Sequence, residues 1–78
     1  MKTGDYLYCH TPVIMKIDLS HATTRGKYYK IVLTWPETFY ITDDFGYNHG
    51  FNIDQYNENF YTSKEYRRIK LDKLYQKT

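Results

Sequence analysis

The chain has 78 residues, of which 41% are hydrophobic and 19% aromatic, with a formal charge of +2 and a single cysteine. This length fits one small domain over residues 1–78. One cysteine excludes an internal disulfide and fits a reducing compartment, while the mild charge neither requires nor excludes a nucleic-acid partner.

Neither a signal-peptide apolar run after Met1 nor a membrane-length apolar segment is present, so the expectation is a cytoplasmic protein, in a host cell, with no membrane partner. A domain this small is marginal in core size, and its aromatics are the compensation. Ten Tyr, four Phe and one Trp supply most of a small core, at about 150–250 Å² buried per ring. Ten phenols would need ten partners if all were inside, so several tyrosines belong on the surface.

In chain order, Gly4-Asp5 reads as a turn into a first strand, Tyr6 to Cys9. Successive strand side chains point to opposite faces, which pairs Leu7 with Cys9 on one side and Tyr6 with Tyr8 on the other. Pro12 interrupts the ladder because it has no amide hydrogen to donate. Val13 to Leu19 can continue as an edge segment with Val13, Met15 and Ile17 alternating, and such an edge can pair with a second copy. Ser20 to Arg25 is polar and aperiodic, an exposed loop that is either a contact surface or a connector.

Lys27 to Thr34 alternates again, with Tyr29, Ile31 and Leu33 opposed to Tyr28, Lys30, Val32 and Thr34. Trp35-Pro36-Glu37-Thr38 is a turn, Pro36 fixing φ for its first corner. Trp35 is then either an exposed recognition aromatic or a lid folded over an open barrel end. Phe39 to Thr42 is the third strand, with Phe39 and Ile41 on one face. Asp43-Asp44-Phe45-Gly46 turns into a fourth, Tyr47 to Phe51, where Tyr47, His49 and Phe51 share a face. Asn52 to Phe60 is a loop or short irregular strand. Thr62 with Glu65 three residues on is a capping box, and it predicts a helix over about residues 63–75 with Tyr66, Ile69, Leu74 and Tyr75 on its apolar face, although Ile69 and Leu71 with Lys70 between them also suit a short strand.

No catalytic, cofactor or metal motif emerges. Cys9, His10, His21 and His49 form no pair with zinc-ligand spacing, and Asp43-Asp44 has no third ligand nearby in sequence. Cys9 beside Leu7 faces the core, where a thiol acts as a small hydrophobe, and there is no Gly-rich phosphate loop. The expectation is a protein that is not an enzyme and takes no cofactor.

Four segments together resemble the small SH3-like barrel proteins of tailed bacteriophages: Gly4-Asp5-Tyr6; Gly26 to Ile31; Ile41 to Gly46; and Phe60-Tyr61-Thr62 with Glu65-Tyr66-Arg67 and Lys70-Leu71. The resemblance implies a mainly β fold, a small partly open SH3-like barrel of about five antiparallel strands with a C-terminal α-helix. It implies no active site, because the understood members bind a host protein, a defence effector or nucleic acid. The Val13–Leu19 stretch and the wealth of Tyr depart from the type and alter the surface.

Two binding readings follow. In the first, an outward aromatic set of Tyr6, Tyr8, Tyr28 and Tyr40, with Trp35 at one end, docks on a host or defence protein and inhibits it, since Tyr and Trp dominate interface hot spots. In the second, Tyr28 and Tyr40 stack on bases while Lys27 and Lys30, supported by Arg67 and Arg68, contact phosphates.

Overall fold

A computed structural model describes residues 1–76. It contains strands β1 (Tyr6–Cys9), β2 (Tyr28–Thr34), β3 (Thr38–Thr42), β4 (Asn48–Asn52) and β5 (Phe60–Thr62), a 3₁₀ helix (Ile53–Glu58) between β4 and β5, and helix α1 (Ser63–Gln76). The strands form one antiparallel sheet in the order β4-β3-β2-β1-β5. This is the expected mainly β fold with a C-terminal helix, its five antiparallel strands curled into a partly open half-barrel.

The curl has a local cause in β2. Its first half pairs with β1, placing Tyr6 opposite Lys30 and Tyr8 opposite Tyr28. Its second half pairs with β3, and the register shifts between Ile31 and Leu33. A bulge of this kind bends the strand and increases its twist, so one strand serves both halves of the barrel. The bulge also corrects the expected alternation. Tyr29 and Ile31 are buried as predicted, but Leu33 emerges on the outer face opposite Tyr40.

Leu7, Cys9, Tyr29, Ile31, Phe39, Ile41 and Phe60 form the core, its Leu, Ile and Phe side chains each worth roughly 1.5–3 kcal/mol when fully buried. Aromatic edges interlock across it. Phe51 packs against Phe39 at 5.5 Å and Phe60 at 5.3 Å, and Tyr29 meets the edge of Phe60 at 6.2 Å.

The connection from β1 to β2 differs most from expectation. Val13–Leu19 is not an edge strand. Residues 13–22 fold into a hairpin-like loop held by Ala22 N–H to the Val13 carbonyl and Met15 N–H to the Ser20 carbonyl, both 2.8 Å, with a single bridge between Ile14 and His21. Its tip closes by Leu19 N–H to the Met15 carbonyl at 2.9 Å, with Leu19 at φ +60°. The polar run Ser20–Arg25 is not an exposed loop throughout, because Ala22 and Thr23 are wholly buried. Thr23 Oγ1 accepts the Val13 amide at 2.9 Å and lies 3.3 Å from the Cys9 sulfur, so a polar residue does core work by folding the loop back on β1.

The other turns follow their chemistry. Trp35 and Thr38 exchange backbone hydrogen bonds across Pro36-Glu37, a tight two-residue connection. Asp43 Oδ1 accepts the Phe45 and Tyr47 amides, both at 3.0 Å, and Gly46 takes φ +85°. This turn extends to Tyr47, so β4 begins one residue later than predicted. Between the strand ends Asn52 and Phe60 the chain is neither a plain loop nor an irregular strand but the 3₁₀ helix Ile53–Glu58, which Asn52 caps through Oδ1, accepting the Asp54 amide at 2.8 Å.

The capping box closes as the sequence predicts. Thr62 N–H donates to Glu65 Oε1 at 2.9 Å, and Glu65 N–H donates to Thr62 Oγ1 at 3.1 Å. Burial alone would raise the Glu65 carboxyl. Hydrogen bonds from Thr62 and from Tyr56 Oη, the latter at 2.9 Å, instead hold it below its ordinary value. Tyr66 and Ile69 are half-buried as the expected helical face requires, but Leu74 is exposed. The side chain of Tyr75, also assigned to that face, lies outside the described residues.

Candidate functional site

Directly opposed residues of an antiparallel pair share a face, so the register defines the outer surface of the sheet. Along β1 and β2 it carries Tyr6 with Lys30 and Tyr8 with Tyr28. Beyond the bulge it carries Leu33 with Tyr40, and Tyr40 lies opposite Gly50 on β4. Trp35 follows at the turn, 58% exposed. All five residues of the expected aromatic surface are therefore on the outer side, and Tyr6 and Tyr28 are exposed. Val32, outward by the alternation of β2, and Leu33, brought outward by the bulge, add apolar area between the tyrosines and Trp35.

Two of the five are already partly engaged. Tyr8 stacks on Tyr66 of α1 with ring centroids 3.8 Å apart and planes within 8°, while Tyr28 approaches Tyr8 edge-on at 5.4 Å. Tyr40 lies flat over Gly50, close enough that a Cβ there would meet its ring at 2.8 Å. Tyr8 and Tyr40 thus brace the face, and Tyr6, Tyr28, Leu33 and Trp35 present it.

The basic residues divide. Lys27 Nζ is 3.0 Å from Asp44 Oδ1, inside a network in which Thr24 and Tyr29 also donate to that carboxylate at 2.6 and 2.7 Å. Burial would raise the Asp44 carboxyl, but these three donors hold it below its ordinary value. Burial and the Asp44 hydrogen bond push the Tyr29 phenol up to about 12. The Asp43-Asp44 pair is therefore structural: one residue builds the turn and the other ties it to the β1–β2 loop. Lys30 stands opposite Tyr6, and Arg67 shares a cleft of about 710 Å³ with Tyr6, Asp5 and Met1. Arg68 is exposed on α1.

Catalytic and metal chemistry find little to work with. Cys9 is buried, its sulfur facing Thr23 and the Thr11 carbonyl, and burial pushes the thiol up. His10 is held by Thr11 Oγ1 and the Asn57 carbonyl, both at 2.8 Å. Among the described residues no three His, Cys, Asp or Glu side chains gather as a metal site would need. No helix among them is long and apolar enough to cross a membrane.

One feature escaped the sequence reading. A groove of about 540 Å³ runs between the loop tip, residues 15–20, and the β3–β4 turn, lined by Met15, Ile17, Asp18, Phe45, Tyr47 and His49 among others. His49 Nδ1 sits 3.5 Å from Asp43 Oδ2 at its base, but Ser20 donates its hydroxyl to Asp18 at 2.6 Å, so the three form no nucleophilic relay. Two aromatics flanking Gly46 were the available sequence signal; the opposite wall, with Met15 and the exposed Ile17, was masked by the strand-like alternation of Val13–Leu19. No family model, curated protein or solved structure matches the chain.

Proposed function

We propose that this protein is a non-catalytic interaction module that docks the outer face of β1–β3 on another protein. The carrying observation is the exposed row of Tyr6, Tyr28, Val32, Leu33 and Trp35 on one side of a sheet whose other side is a closed core. Large, stiff aromatics lose little entropy on binding and so anchor interfaces efficiently. The resemblance of the sequence to phage barrels supports a bacterial host or defence protein as the partner, with inhibition of that protein as the outcome.

The test is affinity capture of the tagged protein from bacterial lysate, with and without nuclease. One stoichiometric partner that survives nuclease is expected. Trp35→Ala and Tyr28→Ala, both at exposed positions, should each weaken that complex by at least ~30-fold, the scale of a hot-spot loss of about 2 kcal/mol. Full retention of the partner by both variants sinks the assignment of the surface.

A second reading has one observation in its favour: Tyr6 is flanked by Lys30 in register and by Arg67 across the cleft. Bases could stack on Tyr6 and Tyr28 while those cations meet phosphates. Binding of single-stranded nucleic acid would then fall steeply with salt and weaken equally for all sequences in Arg67→Ala.

A further inference from the structure

The outer sheet face does not account for the most exposed apolar side chains among the described residues. Ile17 is 93% exposed, Leu19 73% and Tyr47 72%, and all lie on or beside the groove between the loop tip and the β3–β4 turn, together with Phe45. Backbone hydrogen bonds close the tip, but the Ile17 and Leu19 side chains gain no burial from it. Leu19 sits at φ +60°, a left-handed conformation that a branched side chain resists, while holding its side chain in water. Asp18, between Ile17 and Leu19, lines the groove with its carboxylate engaged by Ser20 and keeps its charge, since those hydrogen bonds lower its proton affinity.

The complementary surface is on the same chain. Helix α1 packs on β1 and β5 through its first half, where Tyr66 meets Tyr8. Its later turns present Leu71 and Leu74 to solvent, three residues apart and so on one face. Lys70 and Lys73 each precede one of these leucines. The helix carries five basic residues against two acidic, whereas residues 1–62 carry five basic against seven acidic. An apolar, basic helix face and an apolar groove with an acidic rim, on a body of opposite net charge, are matched in kind. An amphipathic helix laid in a groove with anchors at i and i+3 is an established mode of recognition.

We propose that the groove receives the helix of a second copy of this chain, Leu71 and Leu74 entering beside Phe45 and Tyr47 while Lys70 or Lys73 faces Asp18. The contact is heterologous, joining two different patches, so association extends from copy to copy as concentration rises. It leaves Tyr28 and Trp35 outside the interface and is independent of the function proposed above.

Sedimentation across about 1 to 300 µM, a range that covers weak interfaces of small area, tests this. The wild-type chain is expected to rise above monomer mass with concentration, and to do so less at high salt. A helix variant, Leu71→Asp with Leu74→Asp, and a groove variant, Ile17→Asp with Tyr47→Asp, should each remain monomeric. All four positions are exposed, and circular dichroism and thermal melts should match the wild type. An equimolar mixture of the two variants should form a dimer and stop there, since the mixed pair holds one intact helix and one intact groove. Trp35→Ala should associate as the wild type does. A wild type that is monomeric throughout, a variant that associates like the wild type, or a mixture that stays monomeric overturns the proposal.

Discussion

At the scale of single residues, small contacts carry sharp consequences. Gly50 has no side chain because the Tyr40 ring occupies the space above it, with the nearest ring carbon 2.8 Å from where a Cβ would lie. Gly50→Ala must push the ring aside, and we expect a loss of about 1–3 kcal/mol in urea unfolding, the usual cost of overpacking. Tyr29 makes a different kind of bond: it accepts the Thr24 amide at 2.7 Å and donates to Asp44. Tyr29→Phe leaves that amide short of a partner and Asp44 Oδ1 with Lys27 alone, at a cost of about 1–2 kcal/mol near neutral pH. Because its phenol is raised in the fold from 10.0 to about 12, the contribution is complete below pH 10 and fades as pH climbs through 12. The stability gap between wild type and Tyr29→Phe should therefore narrow over that window, and a gap constant with pH would contradict the role given to Tyr29.

Among elements, the junction of β5 and α1 is the most tightly specified. Thr62 is both the last residue of β5, opposite Leu7, and the residue whose hydroxyl caps the helix. Thr62→Ala should cost about 1 kcal/mol of stability, a typical cap loss. Glu65→Gln removes a carboxylate held below its ordinary value of 4.5, so its effect should be present above that pH and disappear as the wild type is acidified through the lowered value. Paired chemical denaturation curves at neutral and acid pH measure both. This junction was legible in the sequence because a capping box is a local signal: its two defining bonds run between Thr62 and Glu65, three residues apart. The first, third and fourth strands were legible for a similar reason, alternation being local. Leu33 was misplaced because a bulge is decided by how two strands fit a curved sheet, which alternation within one strand does not record. Val13–Leu19 was misread because its period of two was real, but Pro12 and the buried Thr23 drew the segment into a loop before it could pair along a strand. Thr23 itself gave no sign: a threonine among polar neighbours enters the core only because the Val13 amide and the Cys9 thiol await it there.

For the molecule as a whole, one residue ties the barrel together. Phe60 is fully buried and touches rings from β2 and β4. A chain of this length has about 4–12 kcal/mol of total stability, and Phe60→Ala is expected to remove roughly 3–5 kcal/mol of it. The variant should show a substantial unfolded population by NMR at 37 °C or below in mild urea; a melting curve superimposable on the wild type would refute the central place given to this ring. At this scale the outer aromatic face was largely visible in advance, whereas the groove was not, because its two walls come from segments some thirty residues apart in the chain. The sheet order has a last consequence, for synthesis. β1 is made first, yet one of its two neighbours is β5, whose pairing joins Leu7 to Thr62. At about 5–20 residues per second, the nascent chain holds that first strand half-partnered for several seconds while the ribosome translates the remainder. During that interval Tyr6–Cys9 is an open edge in a crowded cell, and it is shielded only when the final strand arrives with its helix behind it.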